Sequence, residues 1–129
     1  MLKTGILNPA LNSLISRVRH TNTLVIADRG FPSWKQVETV DISLVDDVPR
    51  VLDVLAALLP HFVCGCAYIA EEFEQNNTAE TVERLKTTLG GIRIVQLPHT
   101  ELKQRVPLAT GLIRTGDTIA YANIILESA

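Results

Sequence analysis

Apolar residues recur along this chain at two spacings, the three-to-four of a helix and the short unbroken run of a buried strand. Leu11, Leu14, Ile15 and Val18 follow Asn8-Pro9 at helical spacing. A capping Asn with Pro at the first helical position starts a helix, so an amphipathic helix is expected over residues 9–19. Arg17 and Arg19 fall in its last turn, where cations suit the helix dipole, and His20 comes as the helix gives out. Thr23 to Ala27 reads as a buried strand that stops at Asp28 and enters a loop with Gly30 and Pro32. A less defined strand is expected around Val40-Asp41-Ile42. Val48-Pro49 starts a second helix, apolar at Val51, Leu52, Val54, Leu55 and Leu58, which stops near Pro60. Phe62 to Ala70 reads as a strand, followed by Glu71, Glu72 and Glu74. Thr78 to Leu89 reads as a helix closed by Gly90-Gly91, and Ile92 to Leu97 as a strand. Pro98, His99 and Thr100 open a short helix that carries Lys103. Thr110 to Arg114 and Ala122 to Leu126 are expected strands around a Gly116-Asp117 turn, the two forming an antiparallel pair.

Alternating helices and strands predict an α/β fold, a three-layer α/β/α single domain over residues 1–129 with a mixed, largely parallel central sheet. The net charge of −2 provides no electrostatic footprint for nucleic acid or an anionic membrane. Aromatic residues make up 5% of the chain, too few for a base-stacking platform. No leader pattern is visible, because Asn8, Pro9 and Asn12 interrupt the N-terminal apolar residues. The apolar stretch from Phe62 to Ala70 is too short to span a bilayer. A soluble, cytoplasmic protein without nucleic-acid or membrane partners is expected. Cys64 and Cys66 read as small core residues. No further ligands lie near them at zinc-like spacing, and an i, i+2 disulfide on a strand is geometrically awkward. Phosphate-loop, dinucleotide-binding and nucleophile-elbow patterns are absent, so no cofactor or metal is expected.

Four clusters carry candidate chemistry, each with a plain structural reading beside it. His20 can exchange a proton at cell pH, or simply close a helix. Asp28, at the end of a buried strand, must find hydrogen bonds; it presents a carboxylate to a ligand or braces the following turn. His99 and Lys103 stand four apart on one helix face, aimed at a common point or at solvent. Tyr121 and Asn123 alternate with Ala122 and are read as facing one side of a strand, where uncharged donors and acceptors suit a polyol. The alternative for them is a packed Tyr and a turn Asn. His61 reads as a surface residue. Glu71 and Glu72, adjacent at a strand end, point to opposite sides and form no working carboxylate pair.

Taken together, these residues resemble the D-ribose pyranase and L-fucose mutarotase family, and the ribose pyranase branch above all. The resemblance is carried by Ile15-Ser16-Arg17-Val18-Arg19-His20-Thr21-Asn22-Thr23-Leu24-Val25-Ile26-Ala27-Asp28, by Ile113-Arg114-Thr115-Gly116 and by Tyr121-Ala122-Asn123-Ile124-Ile125-Leu126. Val48-Pro49, Ile69-Ala70-Glu71-Glu72 and the segment from His99 to Lys103 add to it. It implies an isomerase that interconverts cyclic forms of a free aldose, most simply D-ribose, without cofactor. It places the general acid at His20 and the sugar-binding residues at Asp28, His99, Lys103, Tyr121, Ala122 and Asn123. It also implies a homo-oligomer, pentameric or decameric, with sites shared between subunits. The sequence departs from that branch after Asp28, where Arg29-Gly30-Phe31-Pro32 and Trp34 replace a less bulky loop. A non-catalytic sugar-binding module, or a mutarotase for fucose or another sugar, is the alternative this substituted loop leaves open.

Overall fold

The computed structural model describes residues 1–129. Six strands build one mixed sheet: β1 (Thr23–Ala27), β2 (Thr39–Asp41), β3 (Cys64–Ala70), β4 (Arg93–Leu97), β5 (Gly111–Arg114) and β6 (Ile124–Ser128). Their order is β2-β5-β1-β6-β3-β4. Parallel pairing joins β1 to β5, β2 to β5 and β3 to β4. β6 runs antiparallel to both β1 and β3, so it joins two parallel half-sheets. The expected three-layer, largely parallel α/β architecture is what forms. One expectation changes: β5 and β6 are not a neighbouring pair, because β1 lies between them. A hydrophobic strand gains more from two partners in a sheet interior than from a local turn, and both β1 and β6 are buried on each side.

Helices α1 (Pro9–Ser16), α2 (Val51–Leu58) and α4 (Ala79–Leu89) cover one face, with the short α3 (Glu71–Asn76). α1 begins where expected: Asn8 Oδ1 accepts the Leu11 N–H at 3.0 Å. It ends earlier than residue 19, because the Arg17 and Val18 N–H groups turn back to Leu14 and Ile15 in a tighter three-residue spacing. Val18 is still buried, which is why its apolar character imitates another helical turn. α3 replaces the expected strand end. Its first turn holds Glu71, Glu72 and Glu74, which suit the positive helix end, and Phe73 anchors it at 3% exposure. α4 is capped by Thr78 and closes at Gly90, whose φ of +60° suits glycine.

Alternation along the strands sorts the core into two layers. Leu24, Ile26, Ile69, Ile113, Ile124 and Leu126 face α1, α2 and α4 in a cluster of 18 buried residues. Val25, Ala27, Ala70, Leu112 and Ile125 face the other way, toward α5 (His99–Arg105), Phe31 and Val37, in a cluster of only 9. The first layer carries most of the burial; a fully enclosed Leu such as Leu14 contributes about 1.5–3 kcal/mol. Leu14 fits because Gly111 opposite has no side chain: a Cβ there would lie 2.9 Å from Leu14 Cδ2. All five parallel strands end on the same edge of the sheet, and that edge carries the site.

Candidate functional site

Asp28 leaves β1 at the carboxyl edge, where open α/β sheets place ligand groups. Thr115 holds this end of β1, donating both its N–H, at 2.9 Å, and its hydroxyl, at 2.8 Å, to the Ala27 carbonyl. The Asp28 N–H donates to Asn123 Oδ1 at 2.8 Å, and Asn123 Nδ2 donates back to Asp28 Oδ2 at 3.0 Å. Gly30 donates its N–H to Asp28 Oδ1 at 2.9 Å. The carboxylate is thus held at both oxygens while it still borders open space.

Phe31, 4% exposed, forms the wall beside it. Its ring lies 5.5 Å from that of Trp34 and 6.1 Å, edge-on, from that of His99. Arg114 pins this loop from below, donating to the Phe31 carbonyl and, at 2.8 Å, to Ser33 Oγ. Its guanidinium also sits 3.7 Å from Asp41. Arg29 turns away from the cavity to pair with Asp46 at 2.8 Å.

His99 opens α5, and its N–H donates to Glu72 Oε2 at 2.9 Å. Its ring meets the Tyr121 ring edge-on at 5.1 Å. Nδ1 is buried with no hydrogen-bond partner. Burial, and then the Lys103 charge one turn along, push the imidazole below its usual range against the opposing pull of Glu72 and Asp28. An imidazolium would also bury an Nδ1–H without an acceptor, so the neutral ring is favoured twice. Tyr121 is not on a strand, contrary to the alternation reading. β6 begins at Ile124, and Tyr121 lies in the preceding loop with a left-handed φ of +57°. A non-glycine residue holds that conformation only where its surroundings enforce it. Here Asn77 Nδ2 donates to the Ala120 carbonyl at 2.8 Å, and the Ala122 N–H bonds to Ile119.

Asp28, Phe31, His99, Lys103, Tyr121 and Asn123 line one cavity of about 310 Å³. Five of the seven residues expected at a site therefore meet in a single chain. Ala122 sits between Tyr121 and Asn123 but packs toward the core under α2 and α4. His20 does not join them. It is exposed and lies before β1, at the edge of the sheet opposite Asp28; the five residues of β1 alone span about 16 Å. A larger cleft of about 440 Å³, between the N-terminal segment and α1, includes His61 but no charged side chain. Converging charged and hydrogen-bonding groups favour the smaller cavity as the chemical site. Glu71 and Glu72 stand in the first turn of α3 rather than on a strand, and Glu72 serves as the brace under His99. Neither that role nor those of Arg114 and Asn77 had a local sequence signal. Nowhere in the chain do three or more His, Cys, Asp or Glu side chains cluster as metal ligands.

Comparisons with known proteins agree with one another. A family model described as the RbsD / FucU transport protein family matches residues 1–129. The D-ribose pyranase of Geobacillus kaustophilus is 38% identical over 128 residues, covering 99% of this chain and 93% of that protein. The D-ribose pyranase of Coprothermobacter proteolyticus is 39% identical, covering 99% and 97%. Among solved structures, Bacillus subtilis RbsD complexed with D-ribose superposes with a TM-score of 0.93 at 33% identity, over 100% of this chain and 98% of that one. The fucose mutarotase of Streptococcus pneumoniae, solved with L-fucose, superposes with a TM-score of 0.80 at 19% identity, over 95% and 93%; that likeness concerns the fold alone.

Proposed function

The chain belongs to the RbsD / FucU family, and from that membership we propose that it is a sugar isomerase, a pyranase or mutarotase acting on free D-ribose. One observation carries the reading: a carboxylate, a neutral imidazole, an ammonium and a phenol from separate segments line one cavity of about 310 Å³ in a relative of D-ribose pyranases. A neutral aldose fits better than a sugar phosphate. Lys103 is the only Lys or Arg lining the cavity, and Arg29 is engaged with Asp46.

Interconverting cyclic forms requires the hemiacetal to open and reclose. A proton leaves the anomeric hydroxyl, another reaches the ring oxygen, and the chain recloses on the other carbonyl face or through a different hydroxyl. Two positioned proton carriers suffice, each contributing about 10²–10⁴-fold. His20 is the principal acid, supplied by a second copy of the chain, since within one chain it faces the opposite edge. Asp28, His99 and Lys103 take sugar hydroxyls, and the segment from Tyr121 through Ala122 to Asn123 sets the orientation. The protein is a single domain over residues 1–129, assembled as a cytoplasmic pentamer or decamer. The thin cover over the second core layer, one seven-residue helix and a loop, supports burial against a neighbour.

Pyranose–furanose exchange of D-ribose, followed by NMR, tests this. His20→Gln and Asp28→Asn should each lose the acceleration. In a random one-to-one mixture of the two, roughly a quarter of shared sites pair two intact residues, so exchange should return in part. A mixture as inactive as its parts would refute the shared site, and a His20→Gln protein as fast as the parent would refute the role of His20. Sugar binding with no acceleration by the parent would instead select a non-catalytic binding module.

A further inference from the structure

Asn123 is placed for a role besides orienting a sugar. It is 3% exposed, and both ends of its amide are used within the protein. Oδ1 takes the Asp28 N–H at 2.8 Å, and Nδ2 gives a hydrogen to Asp28 Oδ2 at 3.0 Å. The partners are 95 residues apart in sequence, so this link is tertiary and joins the end of β1 to the start of β6. Gly30 supplies a third bond, to Asp28 Oδ1 at 2.9 Å. A carboxylate held at both oxygens cannot rotate about its own axis. Of its roughly four lone-pair sites two remain, on a side chain that lines the cavity. Asp28 is also the only carboxylate there, since Lys103 offers donors alone and Glu72 stands behind His99.

We propose that Asn123 is a positioning residue, and that it aims the Asp28 carboxylate as the second proton carrier of ring opening. The step rests on the isomerase reading given above. Asp28 takes the proton of the anomeric hydroxyl. The O–H electron pair becomes the second bond of the new carbonyl, and the bond from the anomeric carbon to the ring oxygen breaks. Its electron pair stays on that oxygen, which takes a proton from His20 of the second copy. Nothing is oxidised or reduced, and reclosure returns both protons by the reverse path. Besides lining the cavity, the side chain of Asn123 thus acts on the reacting carbon through Asp28.

Two variants test this by ribose exchange. Asn123→Asp keeps the oxygen that accepts the Asp28 N–H but replaces the donor with a second carboxylate oxygen. Two carboxylates in contact cannot both stay charged, and a proton shared between them restores the missing donor. Exchange relative to the parent should therefore fall about 10²-fold at pH 8 and climb back toward the parental rate near pH 5. His99 and Lys103 from α5, Glu72 from α3, Tyr121 from the loop before β6 and His20 of the second copy also surround the pair. Taking the ratio to the parent at each pH cancels their shared titration. The double swap Asp28→Asn with Asn123→Asp restores the paired side chains, so its thermal midpoint should match the parent. It should still bind ribose yet exchange it about 10²–10⁴-fold more slowly, because the carboxylate has moved. A ratio flat across pH, or a swap that exchanges at the parental rate, would overturn the proposal. A parent that leaves exchange at the uncatalysed rate sinks the isomerase reading and this step with it; an active parent with a flat ratio sinks this step alone.

Discussion

Replacing Asp117 with alanine unties the region under the site, and its cost can be worked from the contacts. Asp117 is 1% exposed. Its Oδ2 accepts the Val51 N–H and its Oδ1 the Ile119 N–H, each at 2.8 Å. Val51 is the first residue of α2, so its N–H has no partner within the helix. Alanine leaves both N–H groups unpaired, Val51 in a position only 2% exposed. The buried Val51 donor costs about 1–3 kcal/mol when orphaned, and the half-buried Ile119 hydrogen bond contributes about 0.5–1.5 kcal/mol. Loss of a negative group at the helix N-terminus adds about 0.3–1 kcal/mol. The sum is about 2–5.5 kcal/mol, a large part of the ~5–15 kcal/mol that holds a typical domain together. Asp117→Asn keeps one acceptor and should fall between parent and alanine. Urea unfolding measures the series at matched protein concentration, because subunit association also stabilises the folded state. Hydrogen exchange adds a local readout: the Val51 and Ile119 amides should lose the most protection. An alanine variant within about 0.5 kcal/mol of the parent, the range of an ordinary surface change, would refute the reasoning.

Two further predictions concern titration. The His99 pKa lies below its unfolded value, chiefly through burial and then through Lys103. The unfolded chain therefore binds the proton first: this stability is complete above about pH 6.5 and is lost as pH falls from there through the folded pKa. Lys103→Met should raise the His99 pKa toward the ordinary value and reduce that loss; an NMR titration of the imidazole showing no rise would contradict the assignment. Tyr68 donates to Glu127 at 2.8 Å, and this bond, followed by burial, raises the phenol pKa. Glu127→Gln should bring Tyr68 ionisation to lower pH in an ultraviolet titration, and an unchanged curve would rule the bond out as the main cause.

Local signals determined which elements were legible beforehand. Asn8-Pro9 marked the start of α1, and the β-branched run of β1 marked both of its ends. α3 was not legible, because six residues span less than two turns and Phe73 is their one buried residue. Turn residues at Gly116-Asp117 suggested a hairpin, yet strand order is decided by pairing between distant segments, and β1 took the place beside both strands. The site divides the same way. His99 and Lys103 were readable as a pair because one helix carries both. The Asp28–Asn123 link spans 95 residues and has no local trace; family resemblance brought its members to notice without describing their bond. The alternation of Tyr121 and Asn123 looked like a strand, but the +57° φ at Tyr121 belongs to the turn before it. His20 was readable as a proton carrier, while its distance from Asp28 emerges only from the direction of β1.

The position of β6 has a consequence for how the chain is made. The ribosome delivers it after every other element, although it occupies an interior place in the sheet. Until then β2-β5-β1 and β3-β4 share no edge, and each leaves a row of backbone groups open to pairing with a stray strand. A newly synthesised chain therefore spends its most adhesive interval just before β6 emerges, and the residues leading into β6 also bring Asn123, so the sheet closes and the cavity is completed in the same event.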